Sequence, residues 1–160
     1  MIRILTTGGT IDKIYFDSLS EYEVGNPVVD GILREGGVTV PYIIESVLKK
    51  DSLEITDEDR AMILEKVNEC IEERILITHG TDTLALTGQF LQGKTRKTVV
   101  LTGSLQPANF RFTDAVFNVA FAMGALQSVS QGVYLAMNGQ VFHPDRVRKN
   151  REKNRFEPTS

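Results

Sequence analysis

The stretch Ile75-Leu76-Ile77-Thr78-His79-Gly80-Thr81-Asp82-Thr83 decides the fold. Its first residues are apolar or β-branched at every position rather than at alternate ones, the signature of a strand buried on both faces of a parallel sheet. A glycine then breaks the run, and a helical pattern over Asp82 to Leu91 follows. Working outward, comparable apolar runs occur at Ile2–Thr6, Val38–Ile43, Val99–Thr102 and Val133–Met137. Helical patterns fill the intervals. Thr56 offers a capping hydroxyl ahead of the acids Asp57, Glu58 and Asp59, and Ile63, Val67, Cys70 and Ile71 then form an apolar stripe. Thr113 to Leu126, rich in Ala, Phe and Met, is a further candidate helix. Alternating strands and helices predict an α/β fold with ligands bound at the carboxyl ends of the strands.

With 160 residues, the chain is expected to form one domain able to bury a real core. Eighteen Lys+Arg against 21 Asp+Glu give a formal charge of −3, which argues against a nucleic-acid partner. The single cysteine, Cys70, excludes an internal disulfide, and on the apolar stripe it reads as a core residue rather than a nucleophile. Only His79 and His143 could join it, so no His/Cys metal cage can be built, although carboxylate sites stay open. No apolar run reaches membrane-span length, and Met1–Leu5 is too short for a signal-peptide core. A cytoplasmic address without membrane attachment is the expectation. From Arg146 to Arg155 six of ten residues are Lys or Arg, and the basic tail over about 144–160 is expected to be a solvated terminus.

Three loops begin where apolar runs end: Thr7-Gly8-Gly9-Thr10, His79-Gly80-Thr81-Asp82-Thr83 and Gly103-Ser104-Leu105-Gln106-Pro107. In a parallel sheet they would converge on one rim. The first pair of glycines permits a tight turn and close approach of a ligand, but no third glycine completes a dinucleotide fingerprint, and no phosphate loop is present. A hydroxyl beside a carboxylate at Thr81-Asp82 can bind an ammonium group and orient a water. The same two residues could instead cap the following helix. His79 reads as a hydrogen-bonded structural histidine. The nucleophile elbow of serine hydrolases is missing.

Taken together, Thr7-Gly8-Gly9-Thr10-Ile11 and His79-Gly80-Thr81-Asp82-Thr83 resemble the L-asparaginase family of threonine amidohydrolases. Asp51-Ser52 with Ile55-Thr56, the loop Thr102 to Pro107, Phe117-Asn118, and Gly132-Val133 with Met137-Asn138 follow in the family's order. The resemblance spans nearly the whole chain and corresponds to the amino-terminal domain of the usual two-domain enzyme. It implies a three-layer architecture, with a mostly parallel sheet flanked by helices, and a single catalytic domain over residues 1–160. It also implies hydrolysis of the side-chain amide of L-asparagine, with some activity on L-glutamine, through an acyl-enzyme and without metal or cofactor.

Under that resemblance Thr10 is the nucleophile and Tyr15 the candidate proton shuttle, with loop packing as the tyrosine's alternative role. Thr81 and Asp82 form the second catalytic pair, Asp82 also meeting the substrate's α-ammonium. Ser52 binds the α-carboxylate, and backbone groups around Gly9 and Ser104 supply anion-stabilising donors. A lysine should complete a Thr–Asp–Lys group. Because no Lys or Arg lies between Arg111 and Arg146, the helix after the Gly103–Pro107 loop cannot provide it, and Lys149 is preferred over Lys13. Leu53 stands where periplasmic members carry a substrate-binding glutamine. Family habit implies a homodimer. Two other readings stay open: a noncatalytic aspartate- or asparagine-binding domain, and an amidotransferase subunit that needs a partner.

Overall fold

Why the loops meet is written in the strand register. The computed structural model describes residues 1–16 and 21–160. Strands β1 (Ile2–Gly8), β5 (Arg74–Thr78), β6 (Thr98–Thr102) and β7 (Gly132–Met137) run parallel in the centre of a six-stranded sheet. Strand β4 (Tyr42–Lys50) flanks β1 in parallel, and β8 (Gln140–Phe142) closes the other edge against β7, antiparallel. Thr6 pairs with Thr78, and Thr78 with Thr102, so three strands end at one level and release their loops on the same rim.

Consecutive residues of each central strand enter opposite layers, as the pleat requires. Leu5, Ile75, Ile77, Val99 and Leu101 join one buried cluster with Ile63 and Val67 of helix α2 (Asp57–Glu69) and Leu84 and Leu91 of α3 (Leu84–Leu91). Ile2, Ile4, Leu76 and Val100 join the other with Val29 and Leu33 of α1 (Val29–Glu35) and Val119, Ala122 and Leu126 of α4 (Ala115–Ser128). A mostly parallel sheet between two helical layers is thus the architecture. The continuous apolar runs are apolar because both of their faces are covered.

Local signals account for several element ends. Thr56 accepts a hydrogen bond from Asp59 N–H while the Asp59 carboxylate accepts from Thr56 N–H, a reciprocal box that starts α2. The stripe is interrupted at its end: α2 stops at Glu69, Cys70 turns extended, and Ile71 lies outside the helix, exposed. The Cys70 thiol is held on the Lys66 carbonyl at 3.0 Å.

Two expectations need correction. Val38–Ile43 is not the strand; β4 begins at Tyr42 and continues to Lys50. Pro41 has no N–H to give a ladder, though its carbonyl accepts from Ile2 N at 2.9 Å. As an edge strand β4 carries Glu45, Lys49 and Lys50, which obscured its continuation. The basic tail is not a loose terminus either. Residues Val147–Asn150 (β9) and Arg155–Pro158 (β10) form an antiparallel hairpin whose Val147 and Phe156 are buried in the core cluster beneath α2 and α3. One phenylalanine among many charges was the signal the charge count hid. A second small hairpin pairs β2 (Lys13–Phe16) with β3 (Glu21–Val24).

Candidate active site

The rim is assembled by backbone-to-backbone packing. Gly9 sits at φ 87°, in the left-handed half of the map, and a Cβ there would collide with the backbone of Gly80. Gly80 in turn carries Ser52 against it; a Cβ on Gly80 would come to 2.5 Å from Ser52 Cβ and 2.7 Å from its Oγ. Thr10, in the short turn Thr10–Asp12, and Thr81, in the turn Thr81–Thr83, each lie one residue from this contact. One trans peptide on either side keeps their Cα atoms within about 12 Å of each other. Ser52 is buried, and its carbonyl accepts from Thr83 Oγ1 at 2.7 Å, which locks the Ser52–Glu54 turn to the Thr81 loop.

Lys149 of β9 reaches into this cluster. Its ammonium donates to Thr81 Oγ1 at 2.8 Å and to Asp82 Oδ1 at 2.9 Å. Arg151 adds a second cation on the same carboxylate oxygen, at 3.0 Å. Neither Thr81 nor Asp82 caps the helix: the turn and α3 begin at Gly80 and Thr83 with no side-chain cap. Because Thr81 Oγ1 accepts from a cation, its own proton is available for donation. Lys13 points elsewhere, to Asp51 at 2.8 Å, and that contact holds the Asp51 carboxyl below the usual carboxylate range.

Behind the Thr81 loop lies a buried polar chain. His79 Nδ1 is 2.7 Å from Gly80 O, and Nε2 is 2.8 Å from Thr87 Oγ1. A carbonyl only accepts, so Nδ1 carries the proton. Burial pushes the imidazole pKa down to about 4, leaving it neutral with Nε2 as an acceptor. Thr87 therefore donates to Nε2 and accepts from Arg60 Nε at 3.1 Å. The resulting order is Arg60 to Thr87 to His79 to the Gly80 carbonyl, all four in the interior. His79 is a structural residue, as its sequence position suggested.

The third loop is held by residues the sequence reading did not assign to the site. Asp114 accepts from Leu105 N and Gln106 N, and Asn118 Nδ2 bridges Asp114 and the Gly103 carbonyl at 2.9 Å each. Ser104 is buried, with its hydroxyl committed to Gln106 O at 2.5 Å, so any contribution to an anion falls to backbone rather than to its side chain. An aspartate four residues before an asparagine at the start of a helix was the available signal. Asn138, at φ 53°, accepts from Phe156 N at 2.7 Å and ties the tail hairpin to the sheet.

Tyr15 lies on β2, half exposed, with its ring edge-on to Tyr22 at 5.7 Å; Tyr22 continues the row to Phe110 at 6.0 Å. Leu53 is an exposed apolar side chain bordering a cleft of about 580 Å³ that is otherwise lined largely by charged residues, Lys13, Glu23, Lys49, Asp51 and Glu54 among them. Among the described residues, no three His, Cys, Asp or Glu side chains gather as a metal ion would require. No helix in the described residues is long and apolar enough to cross a membrane.

A mostly parallel sheet whose adjacent loops carry Thr10, Ser52, Thr81 and Asp82, with Lys149 supplied from β9, presents a candidate small-molecule site at the strands' carboxyl ends. The chain belongs to the asparaginase family: the family model described as the asparaginase N-terminal domain matches residues 1–157. It is 35% identical over 158 residues to an L-asparaginase of Thermococcus kodakarensis, covering 92% of this chain and 47% of that protein. The solved structure of the thermostable L-asparaginase from the same organism superposes with a TM-score of 0.84 at 30% identity, over 98% of this chain and 50% of that one. A glutamyl-tRNA(Gln) amidotransferase component of Methanococcus maripaludis is 31% identical over 155 residues, covering 87% of this chain and 35% of that protein. The chain thus spans half or less of the length of these relatives.

Proposed function

We propose that this chain carries the nucleophile and the substrate-binding residues of an amidohydrolase that converts the side-chain amide of L-asparagine to L-aspartate and ammonia, with L-glutamine as a lesser substrate. The observation that supports the reading is the position of Lys149, donating to both Thr81 and Asp82 beside the loop that bears Thr10.

In this reading Thr10 Oγ attacks the amide carbonyl, the carbon–nitrogen bond breaks, and ammonia leaves with the proton that the hydroxyl gave up. Tyr15 is the proposed carrier of that proton. Water then opens the ester under the direction of Thr81, whose oxygen is polarised by Lys149. Ser52 meets the α-carboxylate, Asp82 the α-nitrogen, and backbone N–H groups near Gly9 and Ser104 the developing oxyanion. No cofactor is required. A homodimer and a cytoplasmic setting belong to the same proposal; a chain with one cysteine, Cys70, and hence no internal disulfide agrees with a reducing compartment.

The test is ammonia release from L-asparagine by the purified chain. Turnover in the wild type and a loss of roughly a hundredfold or more in each of Thr10→Ala, Thr81→Ala and Lys149→Met is the expected result. Full activity in Lys149→Met removes the lysine from the reaction. The similarity to an amidotransferase component favours one second reading, in which ammonia is released only with a partner protein present. Activity that appears on adding such a partner selects it.

A further inference from the structure

Asp12, two residues past Thr10, is an acid in the interior, 2% exposed, and the reaction above gives it no part. It clasps the chain on both sides. Its N–H donates to the Gly9 carbonyl at 3.1 Å, which makes the Thr10–Asp12 turn. Its own carbonyl accepts from Gly25 N at 2.7 Å, and its carboxylate Oδ1 accepts from Val28 N at 3.0 Å. Strand β2 leaves from Asp12 and β3 returns to it, so one residue holds both ends of the hairpin that carries Tyr15. The fit at this base is close: a Cβ on Gly25 would stand 3.1 Å from the Asp12 carbonyl and 3.0 Å from Ile14 Cγ2. The Ile11 carbonyl accepts from Ala108 N at 3.1 Å, which pins the same turn to the third loop.

An asparagine would accept from Val28 N as well. What the acid adds is a proton that can leave. On the segments that meet Asp12 the charged side chains are already engaged: Lys13 with Asp51 at 2.8 Å, and Asp30 of α1 with Arg34 at 2.8 Å and Tyr42 at 3.0 Å. Lys49 of β4 attracts the carboxylate, but its ammonium is hydrogen-bonded to Asn26 Oδ1 at 2.6 Å. Burial outweighs that attraction and pushes the Asp12 carboxyl up to about 6. A charged Asp12 regains hydration only when the base of the hairpin opens, so the clasp is tighter with the neutral acid.

We propose that Asp12 is the positioning residue of this site: its neutral carboxyl fixes the Tyr15 hairpin to the Thr10 turn, and its ionisation loosens the two. The proposal rests on Thr10 and Tyr15 being the reacting pair, and adds the group that aligns them and makes the alignment depend on pH.

Amide hydrogen exchange at Gly25 and Val28 between pH 4 and 7 tests the clasp without requiring turnover, with Leu76 in the centre of β5 reporting global opening. After correction for intrinsic exchange, the opening constant of the wild type should rise with pH toward a limit of about a hundredfold, the gap between about 6 when clasped and an ordinary ~3.9 when open. In Asp12→Asn it should stay flat. Opening that is flat in the wild type, or that matches Leu76 at every pH, overturns the proposal while the amide-site reading stands. In ammonia release from L-asparagine, Asp12→Ala should lower kcat by roughly tenfold with KM within about twofold, and Asp12→Asn should restore it at pH 5. An unchanged kcat in Asp12→Ala, or an Asp12→Asn protein as slow as Asp12→Ala, overturns the positioning role. A wild type that releases no ammonia overturns the amide-site reading instead, and exchange alone then decides the clasp.

Discussion

Thr87→Val tests the buried chain behind the Thr81 loop. The two side chains have nearly the same shape, so the substitution leaves no cavity and changes only hydrogen bonding. Thr87 is fully buried, and its hydroxyl serves two partners, accepting from Arg60 Nε at 3.1 Å and donating to His79 Nε2 at 2.8 Å. Valine strands both in the interior. Arg60 keeps its contact with Asp57 at 3.0 Å, so it is weakened rather than orphaned, whereas His79 Nε2 loses its acceptor role entirely. At about 1–3 kcal/mol for each buried group left unsatisfied, the expected loss is about 3 kcal/mol of unfolding free energy. Thr87→Ser keeps the hydroxyl and loses one methyl, so about 1 kcal/mol is expected. Urea unfolding near pH 7.5, where the imidazole is neutral in both folded and unfolded states, measures both variants on one scale. A Thr87→Val protein no less stable than Thr87→Ser would refute the buried hydrogen-bonded chain through Thr87.

Two buried groups shift the pH dependence of stability in opposite directions. His79 has its folded pKa pushed down to about 4 by burial, so its contribution is complete above its unfolded value near ~6.5 and is lost as pH falls toward 4. Asp12, buried with its carboxylate on Val28 N at 3.0 Å, is pushed up to about 6, so its contribution is present below an unfolded value near ~3.9 and is lost as pH rises through 6. Asp12→Asn should therefore gain about 1–2 kcal/mol over the wild type at pH 8 and lose that advantage by pH 4; an advantage independent of pH would show that Asp12 carries no such shift. Phe156→Ala should lower unfolding free energy by about 3–4 kcal/mol in urea titration, because this ring is 1% exposed within the core. A loss below about 1 kcal/mol would return the tail to the status of a solvated end.

Much of the molecule was legible in the chain itself. Apolar runs without alternation announced strands covered on both sides, and Thr56 with its following acids announced α2. Glycines at strand ends located the two loops that pack together. These signals are local: each depends on what one residue does to its own backbone or to the two faces of its own strand.

What local chemistry could not show is which distant residues would meet. Ten residues dominated by Lys and Arg read as a solvated end, yet a single Phe156 in the core folds them into a hairpin and delivers Lys149 to Thr81, 68 positions away. Val38–Ile43 was apolar enough for a strand, and only the pairing of β1 with its neighbours decided that the ladder starts beyond Pro41. The Asp82 carboxylate was visible as a binding group, but its double occupation by Lys149 and Arg151 follows from the turn after β9. Sequence thus determined the layers and the loops, because those follow from burial and backbone freedom near each residue. Tertiary structure alone decided the charge around them, because an electrostatic environment is a sum over neighbours that chain order does not list.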